Sequence, residues 1–491
     1  MAGQLLVVIK YKNMLFNSFH FLLFFPIVCI IVWNLTPNKR WAALLASSCI
    51  FYMDFIPLYI LILFGVILID FFASHYIYNS KAERKKLFLF ISLAANIGIL
   101  AVFKYYNFFI ENYNYILSYL GFQIRSEYLS LILPVGLSFH TFQAMSYNIE
   151  VYKGNYLPEK KLGTFALYVL FFPQLVAGPI ERPQTLLPQL KTGFNPTDWD
   201  ITVGCRYMLW GFFKKIYIAD NLSYLTQDLF SNTFHLHGLV ILLYMMLFFI
   251  QIYCDFSGYT DIATGTARFF GIKMSENFKS PLISTSFKDF WNRWHISLTN
   301  WFRSYVYIPL GGSKKGAVMK YFNLSFIFLL SGFWHGAYWT FILWGALHAL
   351  LVILNSIFDD YLFEGHKNKS SQINKLFNIG FVFVSISLVT VFFGVRSINE
   401  SVNIFRNLFS FPIFEISEIN SQNIFSKIEI MLLGLSIVFL FFMEFMLDKY
   451  KLETLISRMK PVSRQIAYCV LLYLIIFYGA FESSKFIYYD F

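Results

Sequence analysis

"YFNLSFIFLLSGFWHGAYWTFILWGALHALLVILNSIF", residues 321–358, contains no Asp, Glu, Lys or Arg. A helix that crosses a bilayer needs about 20 mostly apolar residues. This run is too long for one such helix and is read as two. Working outward from it, charge-free stretches recur at 14–38, 41–53, 55–69, 87–103, 128–149, 162–180, 229–254, 376–395, 430–443 and 466–481. Segments near 112–124 and 201–213 are marginal. The shorter stretches extend through flanking charges by snorkelling or are partly re-entrant. The expectation is an all-α, polytopic integral membrane protein with about 10–13 membrane helices plus re-entrant or interfacial helices. Unbroken apolar blocks exclude a β-barrel, whose strands would alternate over roughly 10 residues.

Composition agrees. Of 491 residues, 57% are hydrophobic, 21% aromatic and only 14% charged. Soluble domains carry about 25% charged residues. The net charge of +11 would suggest nucleic acid in a soluble protein. Here the cations fall in short clusters between apolar runs, at 81–86, 159–161, 214–215 and 313–315. That pattern reads as basic loops facing anionic lipid, and nucleic-acid binding is excluded. Cys29, Cys49, Cys205, Cys254 and Cys469 are scattered without a CxxC pair, so neither a disulfide framework nor a metal site is expected. Residues 1–13 read as a poorly ordered N-terminal extension. Residues 14–491 read as a single integral membrane domain whose first helix, near 18–33, is retained rather than cleaved.

Chemistry concentrates in two places. Residues 288–303 mix charges with tryptophans; on one helix Asp289 and Arg293 would pair four apart, and Asn292, His295 and Thr299 would share a face. Trp291, Trp294 and Trp301 would sit at headgroup level. An interfacial amphipathic helix without chemistry accounts for this pattern equally well. The second place is His335, an ionisable residue inside the apolar run, flanked by Gly332 and Gly336, which allow close approach of a backbone or ligand. An uncharged imidazole at that depth is what a general base requires; a histidine merely bridging two helices is the alternative. His348 reads as a structural neighbour paired with a carbonyl. Asp255, Asp261, His140, Gln143, Glu150, Gln174, Glu181 and Arg182 recur in apolar settings and read as helix–helix glue or bends. HExxH, P-loop and GxSxG patterns are absent from the sequence.

Taken in order, "PVGLSFHTFQAMSY" (134–147), "FFPQLVAGPIERP" (171–183), "YCDFSGYTDIATG" (253–265), "FWNRWHISLTNWFRSYVYIPLGG" (290–312), "SGFWHGAYWTFILWGALHA" (331–349) and the ending "FIYYDF" resemble the membrane-bound O-acyltransferase family, in its bacterial alginate O-acetyltransferase-like branch. The resemblance implies a helical fold around a central tunnel or funnel. It implies transfer of an acyl group, most simply acetyl, from a cytoplasmic thioester towards a hydroxyl on an exported or cell-wall polysaccharide, either alginate-like or peptidoglycan. The donor would be acetyl-CoA or an acyl-carrier thioester, used as substrate with no bound cofactor. The family's main catalytic histidine falls on His335 and its second signature histidine on His295. Asn292 and Arg293 fall in supporting positions, Asp289 orients their helix, and Trp294 and Trp334 stand beside the histidines. The branch also implies residence in the bacterial cytoplasmic (inner) membrane and a separate extracytoplasmic SGNH-type transferase partner. A D-alanyl transfer protein of teichoic acid modification, fed by an acyl carrier protein, is the alternative enzyme. A polymer or ion transporter is the alternative of another class, and the inverted repeats it would carry are not seen.

Overall fold

A computed structural model of the protein describes residues 14–134, 136–175, 178–192, 194–230, 236–358, 372–410 and 425–481. The extension read at 1–13 and the closing "FIYYDF" lie outside these residues. All regular structure among them is helical. The elements used below are α1 (Phe19–Asn34), α2 (Pro37–Met53), α3 (Tyr59–Asn79), α4 (Ala82–Tyr119), α5 (Leu137–Tyr152), α6 (Leu162–Leu170), α7 (Asp198–Phe212), α8 (Asp220–Phe230), α9 (Gly238–Arg268), α10 (Phe287–Arg293), α11 (Ile296–Phe302), α12 (Ala317–His335), α13 (Trp339–Ile357), α14 (Gln372–Gly394), α15 (Lys427–Lys449) and α16 (Pro461–Tyr478).

Eight of the described helices, α3, α4, α9 and α12 to α16, are long and apolar enough to cross a membrane. Shorter expected segments are also helical, including α1 with 16 residues, α2 with 17 and α5 with 16. Local chemistry sets several ends. Ser18 accepts a hydrogen bond from the Phe21 amide at the start of α1. Ser426 and Glu429 form a reciprocal capping box at the start of α15, which lets that helix begin among charged residues. The long run at 321–358 divides into α12 and α13, as its length demanded. Outward faces carry bare Leu61, Phe90 and Val438; such a surface suits lipid rather than water.

The described residues fall into two compact units. One is drawn from Met1–Phe103, Leu131–Gly204 and Ile262–Met274. Its polar hub is Asp70, fully buried on α3, whose carboxylate accepts from Ser92 Oγ (2.6 Å), Asn148 Nδ2 (2.8 Å) and Asn96 Nδ2 (2.9 Å) on α4 and α5. Three donors make one carboxylate tolerable at a depth where a bare charge would not be. Gln143 Nε2 donates to the Tyr168 carbonyl (2.6 Å), and Gln174 Nε2 donates to Gln143 Oε1 (2.5 Å), so these side chains join helices as expected.

The other unit is drawn from Lys104–Ser130, Cys205–Asp261 and Ser275–Phe491. It corrects one sequence expectation. Lys214 and Lys215 are buried, not a basic loop facing lipid. They lie on a π-helical turn, Phe213–Ala219, between α7 and α8. Lys214 Nζ meets Asp261 (2.7 Å) and donates to Ser257 Oγ (2.9 Å). Lys215 Nζ meets Asp220 (2.7 Å) and Asp255 (2.6 Å). Asp255 and Asp261 on α9, read from the sequence as helix–helix glue, are partners of these lysines.

Candidate active site

All the site residues belong to this second unit. The α12–α13 corner is built on glycine. A Cβ on Gly332 would stand 2.2 Å from the Phe341 carbonyl oxygen, and one on Gly345 would stand 2.3 Å from that of Phe328. The helices therefore touch backbone to backbone, as small residues permit in membranes. A Cβ on Gly336 would meet the Phe341 ring at 2.2 Å, so this glycine accommodates a protein ring rather than a ligand. The helix stops at His335 because Gly336 turns to extended backbone, with ψ of 150°.

His335 is 3% exposed. Its ring lies 4.8 Å from that of Trp334, 5.1 Å from Trp344 and 5.4 Å from Phe393, centroid to centroid. His295 and Lys104 lie within electrostatic reach of it. His335 thus sits in an aromatic cage inside the protein.

The segment at 288–303 departs from the sequence reading. It is not one helix: α10 ends at Arg293, Trp294 is extended, and His295 is left-handed at φ 45° and ψ 51° before α11 begins. A non-glycine residue held there costs on the order of 1–3 kcal/mol. The neighbouring loop holds it from both sides. The Lys279 amide donates to the Arg293 carbonyl (2.9 Å), and the Ile296 amide donates to the Asn277 carbonyl (2.9 Å). Asn277 Oδ1 also accepts from Ser297 Oγ (2.9 Å) and the Ser297 amide (3.2 Å). The expected shared face of Asn292, His295 and Thr299 is therefore absent. The turn drives His295 inward to 1% exposure while Asn292 stays exposed. Asp289 and Arg293 form the expected ion pair (2.7 Å), and Arg293 also reaches Asp448 on α15 (2.5 Å). This pair anchors α10 and is not drawn into the histidine pocket. Trp291, Trp294 and Trp301 are buried against protein instead of lying at an interface.

His295 packs on Phe256 (4.8 Å between centroids) and on Trp334 (6.4 Å). Trp334 is consequently the shared neighbour of both histidines. Burial pushes the His295 imidazole down to about 3, so at neutral pH it is an uncharged donor and acceptor. His348 packs against Trp344 (4.6 Å) and Trp291 (5.0 Å). Its Nδ1 has no hydrogen-bond partner among the described residues. It lines a cavity of about 20 Å³ with Phe249, Trp294, Trp344 and Phe393, room for about one water molecule. No group of three or more His, Cys, Asp or Glu side chains that could hold a metal occurs among the described residues.

Two residues escaped the sequence reading. Asn277 gave no signal, being one polar residue in a polar loop. Lys104 did give one: it is a lone cation between apolar blocks, and it served only to bound a span. Its ammonium donates to the carbonyls of Trp334 (2.7 Å) and His335 (2.9 Å).

A model of the membrane-bound O-acyltransferase family matches residues 161–394, which hold both histidines. The chain is 33% identical over 397 residues to the Helicobacter pylori protein named "Peptidoglycan O-acetyltransferase", covering 75% of this chain and 73% of that protein. It is 33% identical over 414 residues to the Pseudomonas putida protein named "Probable alginate O-acetylase AlgI", covering 83% and 82%. A shorter match, 32% over 242 residues, joins it to the Bacillus subtilis "Teichoic acid D-alanyltransferase", covering 47% and 61%. A multi-pass helical membrane protein with a buried histidine pair is what the fold defines. The chain belongs to the membrane-bound O-acyltransferase family and is an O-acyltransferase.

Proposed function

We propose that the protein moves an acetyl group from a cytoplasmic thioester, acetyl-CoA or an acyl carrier, across the bacterial inner membrane for O-acetylation of an exported or cell-wall polysaccharide. The observation that carries the reading is the packing of His335 and His295 against the same indole, Trp334, in a chain that over most of its length matches proteins named O-acetylase and O-acetyltransferase. The acetyl branch is favoured over D-alanyl transfer because matches to it cover 75% and 83% of the chain against 47%.

In this reading His335 is the general base. It takes the proton of the attacking hydroxyl as the oxygen bonds to the thioester carbonyl carbon. The C–S bond then breaks, and the proton passes to the leaving thiolate. Positioned proton transfer is worth about 10²–10⁴-fold. His295, uncharged and beside the same indole, is suited to donate a hydrogen bond to the developing oxyanion, an interaction worth about 10²–10³-fold. Exposed Asn292 does not suit that role; buried Asn277, whose Nδ2 has no hydrogen-bond partner among the described residues, suits it better. A pocket of tryptophan and phenylalanine keeps water from the thioester. The final acceptor is reached directly or through an extracytoplasmic SGNH-type partner.

The test is His335→Ala in the full-length protein, supplied in turn with acetyl-CoA and with an acyl-carrier thioester. The expected result is normal membrane content with no acyl transfer. Wild-type acylation of the polymer by this variant would overturn the assignment.

A further inference from the structure

The last carbonyls of a helix have no partners within it. At the end of α12 those carbonyls include Trp334 and His335, in apolar surroundings where an unmet carbonyl is costly. The structure caps both with one ammonium. Lys104 Nζ binds both oxygens, at 2.7 and 2.9 Å, and also lies 5.8 Å from the centre of the Trp334 ring. A cation at the negative end of a helix adds electrostatic support.

The lysine does not arrive alone. It sits on a π-helical turn, Ala101–Tyr105, that interrupts α4; such turns are rare and recur at functional sites. Beyond the turn, Tyr105 stacks on Phe333 (4.2 Å between centroids), and Trp339 Nε1 donates to Asn112 Oδ1 (2.9 Å). The segment 104–112 thus grips the corner on both sides of His335. It also lies outside the residues that the family model matches.

We propose that Lys104 is a positioning residue for acyl transfer, fixing the backbone of His335 and of the indole shared with His295. The inference rests on the reading of His335 as the base. The carbonyl that Lys104 holds belongs to the same residue as the reacting imidazole, so release of one displaces the other. A misplacement of about 1 Å can cost about 10²-fold in rate. Binding of the thioester, spread over a longer surface, should change little.

The experiment uses the full-length protein in liposomes, with acetyl-CoA as donor, an alginate or peptidoglycan oligosaccharide as hydroxyl acceptor, and thiol release as readout. Wild type, His335→Ala, Lys104→Met, Lys104→Gln and Lys104→Arg are compared. The expected result for Lys104→Met is a kcat reduced at least tenfold with KM for acetyl-CoA within twofold of wild type. Lys104→Arg, which keeps the charge and the donors, should recover most of kcat. A kcat for Lys104→Met within threefold of wild type overturns the proposal, as does a loss that resides in KM or that Lys104→Arg fails to recover. Should Lys104→Met not accumulate, Lys104→Gln decides by the same values. If neither neutral variant folds, Lys104 is a folding residue and the proposal falls. Wild-type rates in His335→Ala, or no thiol release by wild type with either acetyl-CoA or an acyl-carrier thioester, refute instead the reading beneath it.

Discussion

Replacing Gly332 by alanine would add one methyl group where two backbones already touch. The new Cβ would stand 2.2 Å from the Phe341 carbonyl oxygen and 3.3 Å from the Gly345 Cα, where ordinary contact begins at 3.4 Å. Neither obstacle is a side chain that can rotate away, so in a close-packed interior α12 and α13 must part by roughly 1 Å. Overpacking of this kind costs about 1–3 kcal/mol. Alanine returns about 1 kcal/mol through helix propensity. The expected net loss is therefore about 0–2 kcal/mol. Its larger effect is on rate, because His335 lies three residues further along the displaced helix, and a shift of about 1 Å can cost about 10²-fold. Gly380 in α14 supplies the control, since a Cβ there meets nothing within 4 Å. The assay pairs the melting midpoint of detergent-purified protein with acyl transfer in liposomes. Gly380→Ala should equal or exceed wild type in both, and Gly332→Ala should fall in both. A Gly332→Ala protein with wild-type midpoint and rate would refute the claim that this contact sets the corner.

Two further outcomes follow from buried groups. His295→Gly relieves the left-handed backbone but removes a buried ring packed on Phe256, so the melting midpoint should not rise above wild type, and the acyl transfer rate should fall by at least tenfold; an unchanged rate would remove His295 from the chemistry. Lys215→Met should be among the most destabilising single changes, since it strands Asp220 and Asp255, and breaking a buried pair costs about 3–5 kcal/mol. Loss of folded protein from the membrane fraction measures it, and normal accumulation would count against the pairing.

The spans were legible because lipid imposes a compositional rule that single residues obey. The division of 321–358 into two helices followed from length alone. The His295 turn was not legible. Hydrophobic periodicity runs smoothly through Phe290, Trp294 and Leu298, and the break is made by hydrogen bonds from the loop at Asn277 and Lys279, which no local pattern announces. The sequence reading put Asn292 and His295 on one helix face, and only the turn separates them, one outside and one inside. Lys214 and Lys215 resembled a surface cluster because their carboxylates lie on another helix, up to 47 residues away in the case of Asp261. Lys104 was visible as an exception to an apolar rule, but its partners are 230 and 231 residues distant, so its meaning belonged to tertiary structure.

The left-handed backbone of His295 sets two demands on one position. The backbone is best served there by a residue without a Cβ, whereas the packing on Phe256 and, in the proposed mechanism, acyl transfer need an imidazole. No single substitution meets both demands, so a variant library screened only for thermal endurance would gain little at this position. Sequences kept under selection for activity would carry the strain indefinitely, with the Asn277 loop as its permanent brace.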